Sequence, residues 1–218
     1  AVSILHTFPK GPKPRQKAEP STSKTESAGD GRGETGGRHK DHTTLPFSMI
    51  RSLEGTEPTI PDSAFVSEMA YVVGDVTLGE KSSLWPFVCV RGDVGPTTVG
   101  DRSNVQDHSM LHEADIGEDV TLGHNVTVDQ STVEDNCLVG IGSSVLRGAV
   151  VGEGSIVAAG AVVREEQEVP PGTLAYGVPA ETRELNETQR QQIPMYAQSY
   201  VENRKRWKKA GDYDARDR

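Results

Sequence analysis

Val139-Gly140-Ile141-Gly142-Ser143-Ser144-Val145-Leu146-Arg147-Gly148-Ala149-Val150-Val151 returns to an aliphatic residue at every sixth position. The same beat extends outward from it: Val72, Leu78, Leu84 and Val90; Val99, Val105 and Leu111; Ile116, Leu122 and Val128; then Val133, and past the quoted stretch Val157 and Val163. A spacing of six matches neither the helical repeat nor the alternation of a lone strand. No Asn-Gly or Asp-Gly turn separates the repeats, as a hairpin meander would require. Such a spacing belongs to a solenoid.

Four residues after the aliphatic position the chain places something small, as at Ser82, Ser103, Ser109, Cys137, Ser143, Ala149, Ser155 and Ala161. Glycine repeatedly follows the aliphatic residue, as at Gly79, Gly100, Gly117, Gly123, Gly140 and Gly152. A large inward residue, a small inward residue and a glycine free to take positive φ at a tight corner suit a coil of three short flat faces. Sixteen aliphatic positions, three to a coil, predict about five coils of parallel β-helix. At about 4.8 Å per coil the prism would rise roughly 25 Å.

The expected fold class is therefore an all-β solenoid, a parallel β-helix over 72–170. A lead-in over 47–71 precedes it, with Ala64-Phe65-Val66 as a first strand, and Pro170-Pro171-Gly172 is expected to stop it. The segment 171–218 then turns away into an α-helix from about Glu187 to Lys209, capped by Asn186 or Thr188, with Ile193, Tyr196, Tyr200, Asn203 and Trp207 on one packing stripe and Pro194 confined to the first turns. Residues 1–46 form a long low-complexity extension. From Lys10 to Thr44 there is scarcely an aliphatic residue, so the segment cannot bury enough surface to offset the entropy of ordering.

Charge divides along the same line. The net charge is −9, yet residues 1–50 carry eight Lys and Arg against five Asp and Glu, which leaves −12 on the rest. An acidic body excludes nucleic acid as the main partner. The basic extension suits acidic partner surfaces or anionic lipid headgroups. Aromatics at 5% suit a narrow interior of Val, Leu, Ala and Ser. Cys89 and Cys137 have no disulfide-framework spacing, which points to a reducing compartment such as cytosol, mitochondrial matrix or plastid stroma. A start at Ala1 fits removal of an organellar leader and equally removal of an initiator Met.

Three of the six histidines, His6, His39 and His42, lie in the extension, and the others, His108, His112 and His124, lie on the coils. His112 and His124 are twelve residues apart, short of a full coil of about eighteen, so spacing alone does not stack them.

Ser83-Leu84-Trp85-Pro86, Val90-Arg91-Gly92-Asp93, Asn104-Val105-Gln106-Asp107, Leu111-His112, the run from Ile116-Gly117 to Gly123-His124, and Gly177-Val178-Pro179-Ala180 together resemble the γ-class carbonic anhydrases, over about Pro58 to Trp207. The resemblance implies a left-handed β-helix, a trimer, and zinc at each interface held by three histidines, two from one protomer and one from its neighbour. It also implies that Arg91 and Asp93 steady the interface, and that Gln106 and Asp107 hydrogen-bond the zinc-bound water. On that pattern His112 and His124 are the first and second metal ligands.

The third ligand of the pattern lies five residues after the Gly-His histidine, where this chain has Asp129 in Val128-Asp129-Gln130-Ser131. An Asp oxygen reaches roughly 1 Å less far than the distal imidazole nitrogen, whereas metal sites tolerate errors of about 0.2 Å. The site is expected to bind zinc weakly or not at all. The acidic loop that carries a proton-shuttling glutamate in active members is also missing. Glu113 is the acidic side chain nearest that role.

In the two-chain site that the resemblance implies, His124 could still complete a site with an intact paralogue, while Asp129 would spoil the site shared through His112. Mixed trimers of intact and degenerate subunits occur in the family on the matrix side of mitochondrial complex I, so the expected role is a mainly structural or assembly subunit there. The alternatives are a free-standing homotrimer with weak CO2 hydration in the cytoplasm or plastid, and a hexapeptide-repeat acyltransferase. The last would need a protruding catalytic-histidine loop that the sequence lacks.

Overall fold

All sixteen aliphatic positions point inward, with relative exposures between 0 and 3%. In the computed structural model, which describes residues 49–211 and 213–216, they line one continuous core. The chain divides after Leu45, and the extension 1–46 with its three histidines lies outside the described residues. Each buried Val or Leu contributes roughly 1.5–3 kcal/mol.

One face of the prism stacks Phe65–Val66, Ser83–Leu84, Asn104–Val105, Thr121–Leu122, Leu138–Val139, Ile156–Val157 and Thr173–Tyr176, all parallel. The other two faces join in a single sheet, because Tyr71–Leu78 and Cys89–Val99 run through the corner between them. The face that carries the site is built from Cys89–Val99, Met110–His112, Thr127–Asp129, Ser144–Val145 and Val162–Val163.

Seven stacked rungs exceed the five coils expected, because the ladder continues beyond the regular aliphatic beat at both ends. Pro170-Pro171-Gly172 does not stop it. Pro170 and Pro171 follow the last strand of their own face, Glu168–Val169, beyond which no rung waits for their amides, and Thr173–Tyr176 pairs on the next face with Ile156–Val157.

The expected reason for the recurring glycines also needs correction. Gly79, Gly100, Gly117, Gly123, Gly140 and Gly152 do not have positive φ; that conformation falls two residues later, at Lys81, Arg102, Asp119, Asn125, Gly142 and Gly154. Gly140 is needed for a different reason, since a Cβ there would lie 2.5 Å from the backbone nitrogen of Ala159 on the next coil. Gly142, at φ 69°, has open space where a Cβ would go. Close coil stacking selects the first glycine, and left-handed backbone favours the second.

The small inward serines tie coils together. Ser103 Oγ donates to the Gly117 carbonyl at 2.7 Å and accepts from the Val120 amide at 2.9 Å. Ser109 makes the equivalent bonds to Gly123 and Val126, at 2.9 and 3.0 Å.

The helix Glu187–Ala210 covers the first face. Asn186 caps it through a reciprocal pair of bonds with Gln189, and Lys208 and Lys209 complement its C-terminal end. Pro194, expected only in the first turns, is the eighth residue and lies exposed inside the helix. The buried seam is Gln189, Ile193, Ala197, Val201 and Arg204. Of the expected stripe, Tyr200 and Trp207 are half-buried and pack edge-on against Trp85 at 5.3 Å each.

Both ends of this face are closed by antiparallel segments. Glu181–Glu184 pairs with Thr173–Tyr176. At the other end Asp214 bridges Ser67, the Glu68 amide donates to Tyr213 at 2.8 Å, and the Ala215 amide donates to Val66 at 2.8 Å. No open parallel edge remains on the face at either end.

Candidate functional site

Arg91, His112 and Asp129 occupy one column on successive rungs, Arg91 in register with His112 and His112 with Asp129. Each ends the strand segment of its coil on the site face, so all three point outward at the same prism edge. Their alignment depends on departures from the sixfold beat. Leu111 to Ile116 and Val128 to Val133 are steps of five, and Val90 to Val99 is a step of nine. The two short corners turn at Glu113 and Gln130, with φ of 47° and 48°. The long one bulges over residues 93–96, where the ladder with Tyr71–Leu78 shifts register between Gly74 and Val76. The glycine of Arg91-Gly92-Asp93 is required there, because a Cβ on Gly92 would collide with the Asp75 backbone.

These corners surround His112 with carboxylates. His112 Nδ1 lies 2.8 Å from Asp129 Oδ1. A carboxylate oxygen only accepts, so Nδ1 is the donor. On the other side of the ring, Nε2 lies 3.3 Å from Asp93 Oδ1 and 3.6 Å from Glu113 Oε1. Neither oxygen makes a hydrogen bond to it, and Nε2 is buried without a hydrogen-bond partner.

The neighbours are held in turn. Arg91 clamps Asp93 through Nη2 at 2.6 Å and Nε at 3.2 Å, which holds the Asp93 carboxyl below the usual carboxylate range despite opposing desolvation. Gln130 Nε2 donates to Glu113 Oε1 at 3.2 Å, and Gly95 leaves room for that carboxylate.

His124 and Asp107 lie at the opposite edge of the same face, with His124 Nδ1 3.0 Å from Asp107 Oδ2. Gln106 turns under the C-terminal helix, where its amide donates to Asn104 Oδ1 at 3.2 Å. Tyr200 of the helix reaches this edge, and burial together with the Asp107 charge pushes its phenol up to about 12. His108 is no part of either group, and stacks on Phe87 at 4.9 Å. Asp107 and His112 are separated by a strand of extended chain, on the order of 12–15 Å. One ion needs its ligand atoms within about 4 Å of each other. His112 and His124 of one chain therefore cannot share an ion.

The residues do not fit a zinc held by three imidazoles. Asp129 faces Nδ1 of His112 and not the space before Nε2. Among the described residues no three His, Cys, Asp or Glu side chains are placed to hold a metal.

Of the residues singled out in the sequence, Arg91, Asp93, His112, Glu113 and Asp129 come together, Asp107 and His124 form a second group, and Gln106 turns away from both. Gln130, Gly95 and Tyr200 were not read as site residues. The two five-residue steps were a visible signal for Gln130; nothing local marks Tyr200.

A parallel β-helix with a histidine and carboxylate column at one edge and a histidine–aspartate pair at the other defines a hexapeptide-repeat protein with a divided site. Residues 131–165 match the family model described as bacterial transferase hexapeptide (six repeats). A carbonic anhydrase of Geobacillus kaustophilus is 40% identical over 160 residues, covering 71% of this chain and 88% of that protein. The mitochondrial gamma carbonic anhydrase 2 of Arabidopsis thaliana is 35% identical over 176 residues, covering 75% of this chain and 63% of its own length. A crystal structure of a hexapeptide transferase family protein from Anaplasma phagocytophilum superposes with a TM-score of 0.71 at 32% identity, covering 72% of this chain and 97% of that one. The chain belongs to the γ-carbonic-anhydrase family of hexapeptide-repeat proteins.

Proposed function

We propose that this chain is a γ-carbonic-anhydrase-like subunit of a trimer with homologous chains, attached to the matrix side of the membrane arm of mitochondrial complex I. Its role there is mainly structural. The observation that carries the reading is the bond between Asp129 and His112, at 2.8 Å, where the family pattern requires a second imidazole. In a site spanning two protomers, the His112 edge is one ligand short. The His124 edge keeps its histidine and can complete the site of an intact neighbour. Likeness to the mitochondrial Arabidopsis protein supports the location, and the basic extension supports contact with acidic partner surfaces or lipid headgroups.

The test is purification of the full chain from its source under mild detergent, followed by subunit identification and zinc analysis. The reading predicts membrane-arm subunits, at least one homologous chain, and fewer than one zinc per interface. Asp129→His should raise the zinc content, with a smaller recovery of CO2 hydration because Glu113 is held by Gln130. A soluble homotrimer with one tightly bound zinc per interface would refute it. The second reading, a free-standing homotrimer with weak zinc-dependent CO2 hydration, is favoured by the 88% coverage of the Geobacillus relative. The same subunit analysis separates the two.

A further inference from the structure

We infer that Asp129 is a positioning residue for His112, not a carboxylate ligand substituting for a histidine. This rests on the divided site proposed above, and it assigns that site's altered residue a different task. Asp129 follows His112 in the ladder, and its Oδ1 meets Nδ1 at 2.8 Å along the stacking direction. Nδ1 and Nε2 point from opposite sides of the imidazole, so an oxygen bonded to one is turned away from whatever the other holds. The backbone fixes where the Asp129 side chain starts: its strand Thr127–Asp129 is paired on both sides, and the next residue, Gln130, donates its amide to the His112 carbonyl at 2.8 Å.

A metal-bound histidine commonly donates its second ring N–H to a carboxylate, which fixes the tautomer and aims the free nitrogen. Asp129 makes that contact while occupying the place of a ligand. This edge therefore offers a single donor atom, the buried Nε2 without a hydrogen-bond partner, instead of two ligands. Asp93 Oδ1 and Glu113 Oε1 lie 3.3 and 3.6 Å from that atom without a hydrogen bond to it, held by Arg91 and Gln130.

The test uses the full chain labelled with 15N and long-range proton–nitrogen spectra, recorded above the imidazole titration range. His112 should show a protonated Nδ1 and a bare Nε2, the tautomer that free histidine disfavours. One equivalent of zinc chloride per interface should leave both signals in place. Asp129→Asn should keep the tautomer, because its amide oxygen still accepts. Asp129→Ala should release His112 to the Nε2–H form.

A wild-type His112 already in the Nε2–H form overturns the inference. So does loss of the Nδ1 proton signal when one equivalent of zinc chloride is added, which would mean that Asp129 had turned from the ring to the ion. If the alanine variant does not fold, the wild type with and without zinc and the asparagine variant still decide. Failure of the complex I reading would appear as a different subunit composition and would leave the tautomer unchanged.

Discussion

Replacing Asp214 by Asn should loosen the strap that closes the first rung of the prism. Asp214 is 2% exposed and receives three bonds from Arg216: backbone N at 3.1 Å, Nε at 2.9 Å and Nη2 at 2.7 Å. Lys208 Nζ lies 3.9 Å away. Burial alone would raise the Asp214 carboxyl, but the Arg216 bonds and the charges of Arg216 and Lys208 outweigh it and hold it below the usual range. Hydrogen bonds to charged groups contribute roughly 1.5–3 kcal/mol each, but they are not additive here. Arg216 keeps its bonds to the Pro61 and Ala64 carbonyls, at 2.9 and 2.6 Å, and stays partly exposed. A loss of about 2 kcal/mol is expected, which lowers the melting temperature of a chain this size by roughly 4–8 °C.

The pH dependence has a definite sign. A carboxyl whose folded pKa is depressed contributes its full stability above its unfolded pKa, about 3.9, and loses it as pH falls through the lower folded value. The gap between wild type and Asp214→Asn should be widest near neutral pH and narrow as pH falls below the unfolded value and through the lower folded one. Thermal melts across pH measure it, and amide exchange at Glu68 and Ala215 localises it. Melting temperatures within about 1 °C of each other at pH 7, with unchanged exchange protection at both amides, would refute the strap.

Arg91→Ala should leave the melting of the protomer nearly unchanged, since its pair with Asp93 is partly exposed, yet weaken the trimer about tenfold in sedimentation experiments if that clamp meets a neighbour. Gly140→Ala should cost about 1–3 kcal/mol by urea unfolding, because the added methyl strikes the next coil. Gly142→Asn should cost no more than about 1 kcal/mol, because Asn125 and Asn136 already serve at equivalent corners. Burial pushes the Cys137 thiol up to about 12, and bonds from the Ser155 and Gly154 amides offset this only in part. A disulfide reagent near pH 8 should therefore modify the half-exposed Cys89 in the native protein and reach Cys137 only after unfolding.

The amino-acid sequence by itself determined the prism. Each coil repeats one local problem, a bulky residue inward, a small one at the corner and a chain that must turn, so Val139, Val145 and Val151 announce their burial without reference to anything distant. The helix was legible for a similar reason: its caps and charges act within a turn or two. The residues Arg91, Asp93, His112 and His124 were singled out by the resemblance of their motifs to a known family, since their spacing alone does not bring them together.

Only the tertiary structure decided what those residues meet. Whether Asp129 reaches over to an ion or down onto His112 depends on the two short corners at Glu113 and Gln130, which set how one coil lies on the next. The true reason for Gly140 and the continuation past Pro170 are also facts about neighbouring coils. Inward or outward facing is settled by a residue's own backbone and its nearest neighbours. Contact between coils depends on every corner the chain passes in between, and a single residue more or less at one of them moves a side chain from one partner to another.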